Sequence, residues 1–477
     1  MSDGLRQKTF VSSIYVVGRQ GLGIALSFLS LIVFYRYLTP AEFGIVAVAQ
    51  GTWTFLGMIA VLGVDGYLIR LKTLPDRGEL NALFSVLLAV ILLLYTGVFL
   101  SADLIAQFGN HADIGPVIRI IGINFIFKQL GLIGRTVLEK EMRFRELSII
   151  ELVSQLAYYL IAIPWVMLGG SYWGIVAGTM VSTMITGIYT YAAHPLSIQF
   201  KIDVQSLVGN LKKSLSYQLT VCTWHLRDML IPLLLSRLGG VEVAGVISAA
   251  NQIVTKLTFF RSVIWKVSLS ALANLQDDPE RLCRAISKGV LYQVMFVGGI
   301  LTFAAPLMPW IVSLLGDKWL GVLPIYPILA ITIITNSAFS MHVAALYGNG
   351  KNSEVNHFHI ANVITVIAIT AITVPFLGTN GYLLGESVAL FSYFILYRHV
   401  KSQFGTVSYR IAAKFLAYSF PALITTIITS PPLAIVATVL SGLLVALDSN
   451  TRNAVSASFS EIFESVIKRK PRLTETA

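Results

Sequence analysis

Apolar residues along this chain do not alternate with polar ones. They gather into runs of about 20 residues, separated by short clusters rich in Lys, Arg, Pro and Gly. A run of that length crosses a bilayer core as a helix, whereas barrel strands would show alternation over roughly ten residues. Breaking the chain at its charged and Pro- or Gly-marked connections predicts helices near 10–36, 42–69, 80–100, 114–138, 147–168 and 171–193. A second series falls near 213–236, 242–272, 287–315, 322–347, 355–376 and 380–398, and two shorter helices near 411–429 and 433–447. The expected fold class is an all-α polytopic membrane protein of about 14 transmembrane helices. It divides into an N-terminal six-helix bundle at 1–200, a C-terminal six-helix bundle at 201–400, two additional helices at 401–448 and a basic cytoplasmic tail at 449–477.

Composition narrows the picture. With 55% hydrophobic and 12% charged residues, the chain is too apolar for a soluble globular protein and leaves no room for a separate soluble domain. The start, Met1 to Lys8, is short and basic, but the apolar run after it continues to about Phe34 without a small-residue cleavage site, which reads as an uncleaved first helix. The two cysteines are expected apart, Cys222 within a helix and Cys283 in a cytoplasmic loop, so neither a disulfide nor a metal site is expected.

The formal charge of +11 is mostly a topology signal. Alternate loops hold Arg70, Lys72 and Arg77; Lys140, Arg143 and Arg145; Lys201, Lys212 and Lys213; and Arg281, Arg284 and Lys288, while the opposite loops hold only Arg36, Arg237 and Lys318. The positive-inside rule then puts both termini in the cytoplasm. No RNA- or DNA-binding motif accompanies the charge, so nucleic acid is not an expected partner.

Eight bases fall inside the predicted spans: Arg19, Arg119, Lys128, Arg135, Arg227, Lys256, Arg261 and Lys266. Such charges are costly in hydrocarbon and point to a cationic, water-filled path for an anionic cargo. At about 100° per residue, Ser12, Tyr15, Arg19, Gly23 and Ser30 share an arc of about 80°. Arg19, near mid-depth, is the first candidate for a phosphate ligand. Arg227 is the second, because Ser216, Thr220, Thr223 and Arg227 form a similar stripe, and Trp224 beside it is placed to reach a sugar. Asn124, Lys128, Gly131 and Arg135 repeat the spacing in the fourth helix, and Gln252, Lys256 and Lys266 cluster in the eighth. Arg261 lies about 180° from Gln252 on an ideal helix and joins that face only if the helix bends. Arg119, Arg135 and Lys266 stand close enough to helix ends to snorkel to headgroups, and Arg227 has a structural ion pair as its alternative use.

Four acids lie within or at the edges of spans, Asp65, Glu151, Asp228 and Glu386. They are candidates for coupling to a proton or sodium gradient, with salt-bridging to the excess bases as the simpler use. No P-loop is present, so ATP hydrolysis and a bound cofactor are not expected. His357 and His359, near the end of the eleventh helix, are read as sitting at a headgroup boundary.

Two junctions repeat. Leu38-Thr-Pro-Ala-Glu42-Phe-Gly44 and Leu238-Gly-Gly-Val-Glu242-Val-Ala-Gly245 each lead into a helix, which suggests two halves of one orientation related by an axis along the membrane normal. The segment Tyr37-Leu-Thr-Pro-Ala-Glu-Phe-Gly-Ile-Val-Ala-Val-Ala-Gln50, in this six-plus-six-plus-two layout, resembles the polysaccharide-transporter branch of the MOP superfamily, the Wzx-type flippases. The resemblance runs through about residue 400. It implies movement of a polyprenyl-pyrophosphate-linked oligosaccharide from the inner to the outer leaflet of a bacterial plasma membrane, for surface polysaccharide synthesis. Membrane lipids and polysaccharide polymerase or export machinery are the accompanying partners. The cargo's pyrophosphate calls for guanidinium or ammonium groups. One alternative is a multidrug exporter of the same superfamily, whose usual cationic cargo the eight bases would repel. A membrane enzyme acting on polyprenyl-linked sugars is the other; it would need acids or His in a long outer loop, and the longest here, about 101–113, is short.

Overall fold

The computed structural model describes residues 23, 26–71, 73–199, 204–261, 264–265, 268–269, 272, 275, 278–428 and 431–457, with side chains at 70, 204–217 and 431 outside that description. Arg19 and Lys266, the rest of the Ser12 to Arg19 stripe, and the basic residues 468–472 lie outside the described residues. Those described form helices joined by short turns, with no strand among them.

Helix α1 covers Leu26–Tyr37. It is followed by α2 (Pro40–Val61), α3 (Val64–Arg70), α4 (Arg77–Phe108), α5 (Ile114–Leu130), α6 (Leu132–Lys140), α7 (Phe144–Met167), α8 (Trp173–Ala193), α9 (Val204–Gly239) and α10 (Val241–Leu257). After these come α11 (Pro279–Ala304), α12 (Met308–Leu315), α13 (Val322–Gly348), α14 (Asn352–Leu377), α15 (Thr379–Ala389), α16 (Tyr393–Gln403), α17 (Arg410–Leu423) and α18 (Pro431–Leu447).

Local chemistry explains where several helices start. Thr39 caps α2 by accepting from the Glu42 amide while the Glu42 carboxylate accepts from the Thr39 amide at 2.6 Å, and Pro40 fills the first position, where no N–H is needed. Asp76 caps α4 by accepting from the Glu79 amide at 2.7 Å.

Several predicted spans are interrupted. The second stops at Leu62 and Gly63, both left-handed (φ 52° and 72°), and resumes as α3. The fourth bends by 42° between α5 and α6. In the eighth, α10 ends at Leu257, after which Arg261 N–H reaches Thr258 O at 3.0 Å in a tighter turn. Cys283 is corrected from a loop to the first turns of α11, where it is buried and its thiol donates to Phe404 O at 3.0 Å. Asp278 caps that helix and starts it earlier than the apolar run suggests. Both cysteines are free thiols.

Seven described helices are long and apolar enough to cross a membrane, or nine if two bent pairs each count as one span. The full count of fourteen remains an expectation of the sequence. Large apolar side chains face outward, with Leu93 at 74%, Phe303 at 76% and Phe376 at 83% exposure. Water would penalise that surface, and lipid does not. The chain is a multi-pass membrane protein.

The described residues sort into two compact units. The first draws on Met1–Ala249, Ser313–Gly321 and His359–Ala389. Trp53 is fully buried in it, donating to Ile118 O at 2.7 Å and stacking on Phe125. Helices α5, α6 and α8 meet tightly at the bend, since a Cβ on Gly131 would lie 2.1 Å from Thr190 Oγ1. Tyr35, Phe43 and Trp319 form an aromatic cluster there too, with Trp319 donating to Tyr35 O at 2.7 Å.

The second unit draws on Ala250–Val312, Val322–Phe358 and Leu390–Ala477. Helix α11 packs on α13, where Tyr326 donates to Leu301 O at 2.7 Å, and on α17 through Phe415 against Gly298. Helices α17 and α18 are tied by the Ala422 amide donating to Ser441 Oγ at 2.9 Å.

Candidate functional site

Thr220, Trp224 and Arg227 recur at i, i+4 and i+7 on α9, so their side chains share one face. In the first unit that face meets His359 and Asn362 of α14 and Tyr382 and Glu386 of α15. Arg227 donates from one Nη to Asn362 Oδ1 at 2.6 Å and from the other to Glu386 Oε1 at 2.5 Å. Tyr382 donates its hydroxyl to the same carboxylate oxygen at 2.7 Å, and the Asn362 amide donates to Ala389 O at 3.3 Å. The Arg227 guanidinium stands 5.1 Å from the Trp224 ring centre, within cation–π range. Trp224 in turn packs on His359, whose Nδ1–H donates to Thr220 O at 3.0 Å.

Burial sets the energetics of this network. The Glu386 side chain keeps 2% of its surface exposed and that of Arg227 keeps 14%. A buried pair of this kind is costly to break, because either charge left alone has lost its hydration. The Arg227 side chain nonetheless keeps more of its surface exposed than the Glu386 side chain does.

The other sequence candidates are placed as follows. Asp228 points away from this network, exposed and bonded to His225 at 2.6 Å. Arg135 lies beyond the α5–α6 bend and bridges Glu139 at 3.1 Å and Glu151 at 2.7 Å. Lys128 is exposed and sits 5.4 Å from the Phe125 ring centre, with no acid in salt-bridge range among the described residues. Arg119 pairs with Asp103 at 2.8 Å. Asp65 lies in the first turn of α3 and accepts from the Gly66 amide at 2.7 Å.

In the second unit, Arg261 donates to Asn336 Oδ1 at 2.9 Å, and the Asn336 amide donates to the Tyr393 hydroxyl at 2.9 Å. Its direct partner is neutral, so the guanidinium is positioned without being neutralised. Lys256 occupies the last turn of α10 and is half-buried. His359 is corrected from a headgroup position to the core at 7% exposure, while His357 stacks on His399 with ring centres 6.4 Å apart. No group of three or more His, Cys, Asp or Glu suited to a metal occurs among the described residues.

Sequence reasoning missed Asn362, Tyr382, Asn336 and Tyr393. A signal for two of them was present. Asn362 follows His359 by one turn in an otherwise apolar run, and Tyr382 precedes Glu386 by one turn.

The chemistry on offer is anion binding, by an arginine stacked on tryptophan and by further bases within apolar helices. A family described as polysaccharide biosynthesis protein matches residues 33–324. The lipopolysaccharide biosynthesis protein WzxC of Escherichia coli (strain K12) is 24% identical over 448 residues, which cover 91% of this chain and 89% of that one. The succinoglycan biosynthesis transport protein ExoT of Rhizobium meliloti (strain 1021) is 24% identical over 342 residues, 69% of this chain and 67% of its own length. A solved structure of the lipid II flippase MurJ, in an inward closed conformation, aligns with a TM-score of 0.69 at 13% identity, covering 96% of this chain and all of that one. An inward-facing multidrug resistance MATE family transporter of the MOP superfamily aligns with a TM-score of 0.61 at 14% identity, over 80% of this chain and 95% of its own. These two structural likenesses concern the fold.

Proposed function

The chain belongs to the polysaccharide biosynthesis protein family, and from that premise we propose that it flips a polyprenyl-pyrophosphate-linked oligosaccharide from the inner to the outer leaflet of a bacterial plasma membrane. The observation that carries this reading is the excess of base over acid on its apolar helices. Lys128 and Arg227 lie within them and Arg261 just beyond α10, and of the three only Arg227 has a carboxylate in salt-bridge range among the described residues. Fixed cations replace the water that a pyrophosphate sheds on leaving the aqueous phase. A cationic drug would be repelled by the same groups. The names of WzxC and ExoT, a lipopolysaccharide biosynthesis protein and a succinoglycan transport protein, support a glycan cargo.

In this proposal Arg19, Arg227 and Lys256 bind the phosphates, assisted by Lys128, Arg135 and Arg261, and Trp224 contributes a stacking surface for the sugar. The halves at 1–200 and 201–400 alternate access, both termini face the cytoplasm, and an ion gradient or removal of product drives the cycle. No cofactor and no catalytic step is involved.

The test is leaflet translocation. Purified protein in proteoliposomes would be given a labelled polyprenyl-pyrophosphate oligosaccharide, with access of a membrane-impermeant lectin as the readout. Translocation that collapses in Arg19→Ala supports the reading. Export of cationic dyes without glycan movement would replace it with the multidrug alternative.

A further inference from the structure

Arg227 of α9 is held by side chains from two further helices, Asn362 of α14 and Glu386 of α15. Glu386 takes the guanidinium through one Nη and one carboxylate oxygen, while Asn362 takes the other Nη. The fork that could grip one anion at two points is divided between two acceptors. Tyr382 already supplies a hydroxyl to Glu386 and would remain its donor if the guanidinium turned away. The Arg227 side chain keeps 14% exposure and lies over the Trp224 ring, while Glu386 keeps 2%.

We propose that Glu386 is an internal stand-in for the cargo's phosphate: it holds and neutralises Arg227 between transport events, and a pyrophosphate oxygen displaces it when cargo arrives. The inference rests on the flippase reading above and adds a specificity role. A monoanionic carboxylate, held at a single point, yields to a di- or trianionic group able to accept two parallel N–H bonds. A singly charged acid cannot outcompete the resident one. Glu386 therefore sets a threshold that selects pyrophosphate over ordinary anionic lipid, and by recapturing Arg227 it speeds release. It acts through Arg227 and is a positioning residue.

The experiment is a titration of purified, detergent-solubilised full-length protein with farnesyl pyrophosphate by calorimetry, and with farnesyl carboxylate as the singly charged control. Glu386→Gln should tighten the apparent Kd for the pyrophosphate by about tenfold or more, the change expected if the carboxylate occupies Arg227 about nine-tenths of the time. It should also let the carboxylate probe bind. Arg227→Ala should lose pyrophosphate binding. Glu386→Asp, which retains the charge but shortens the reach, should show intermediate tightening and decides the matter if the Gln protein does not fold. A merely structural Glu386 predicts weaker binding on substitution, never tighter. Wild-type binding with an unchanged or weaker Kd in the folded Glu386 variants overturns the stand-in role and leaves the flippase reading intact. No binding by the wild type overturns the phosphate role of Arg227 itself, and the stand-in with it.

Discussion

Gly44 and Gly245 are reciprocal contacts at the starts of α2 and α10. A Cβ on Gly44 would lie 1.9 Å from Val241 O, and one on Gly245 would lie 1.7 Å from Pro40 O. Gly44 and Gly245 are 201 residues apart in sequence, as are Pro40 and Val241. The contact maps onto itself when the two junctions are exchanged, as a local twofold requires. The structural equivalence follows the glycines and shifts Glu42 and Glu242 out of register by one.

Gly44→Ala and Gly245→Ala should each destabilise the protein by at least about 1–3 kcal/mol, because the obstructing atoms are backbone and the helices must separate. Gly97→Ala and Gly299→Ala, where a Cβ meets nothing within 4 Å, should be neutral or stabilising by up to about 1 kcal/mol. Thermal unfolding in one detergent compares all four; equal Tm values would show that the crossing is not close.

Removing Arg227 strands a carboxylate with 2% exposure. Arg227→Ala should cost about 3–5 kcal/mol, and Arg227→Met combined with Glu386→Gln should recover most of it. Transport should fail in both, since the recovered protein has no guanidinium. Additive losses in the double variant would mean that the two side chains do not interact.

Glu151 pairs with Arg135 across a partly exposed contact, with side-chain exposures of 20% and 44%. Glu151→Gln should change stability by less than about 1 kcal/mol and leave translocation within twofold of wild type. Abolished transport in a normally folded Glu151→Gln protein would instead identify this carboxylate as a coupling group.

Beyond α18 the chain turns by 87° into a short helix, Ser449–Ala457, with Asp448 at the corner. The Thr451 hydroxyl and, after it, Lys414 hold the Asp448 carboxyl below its usual range of about 4. A depressed folded-state pKa means that the stabilising contact is fully present above the unfolded value and lost as pH falls through the folded one. A nitroxide at Ala457 should stay immobile down to about pH 4 in the wild type and be mobile at every pH in Asp448→Asn. Mobility that begins well above pH 4 in the wild type would contradict the assignment.

The sequence by itself determined the class of molecule, the approximate helices and the presence of bases within them, because the length of an apolar run and the identity of a residue inside it are local properties. It also carried the Glu42 and Glu242 junctions, whose likeness is legible over a few adjacent residues. Only the tertiary structure decided which acid neutralises which base. Asp228 adjoins Arg227, yet a helix turns neighbours about 100° apart, so Glu386, 159 residues away, takes the guanidinium instead. Arg135, beyond the α5–α6 bend, is likewise taken by Glu139 and Glu151, and Arg261, in the turn after Leu257, by Asn336. Each outcome depends on where helices cross or break, and there periodicity counted on an ideal helix no longer predicts direction.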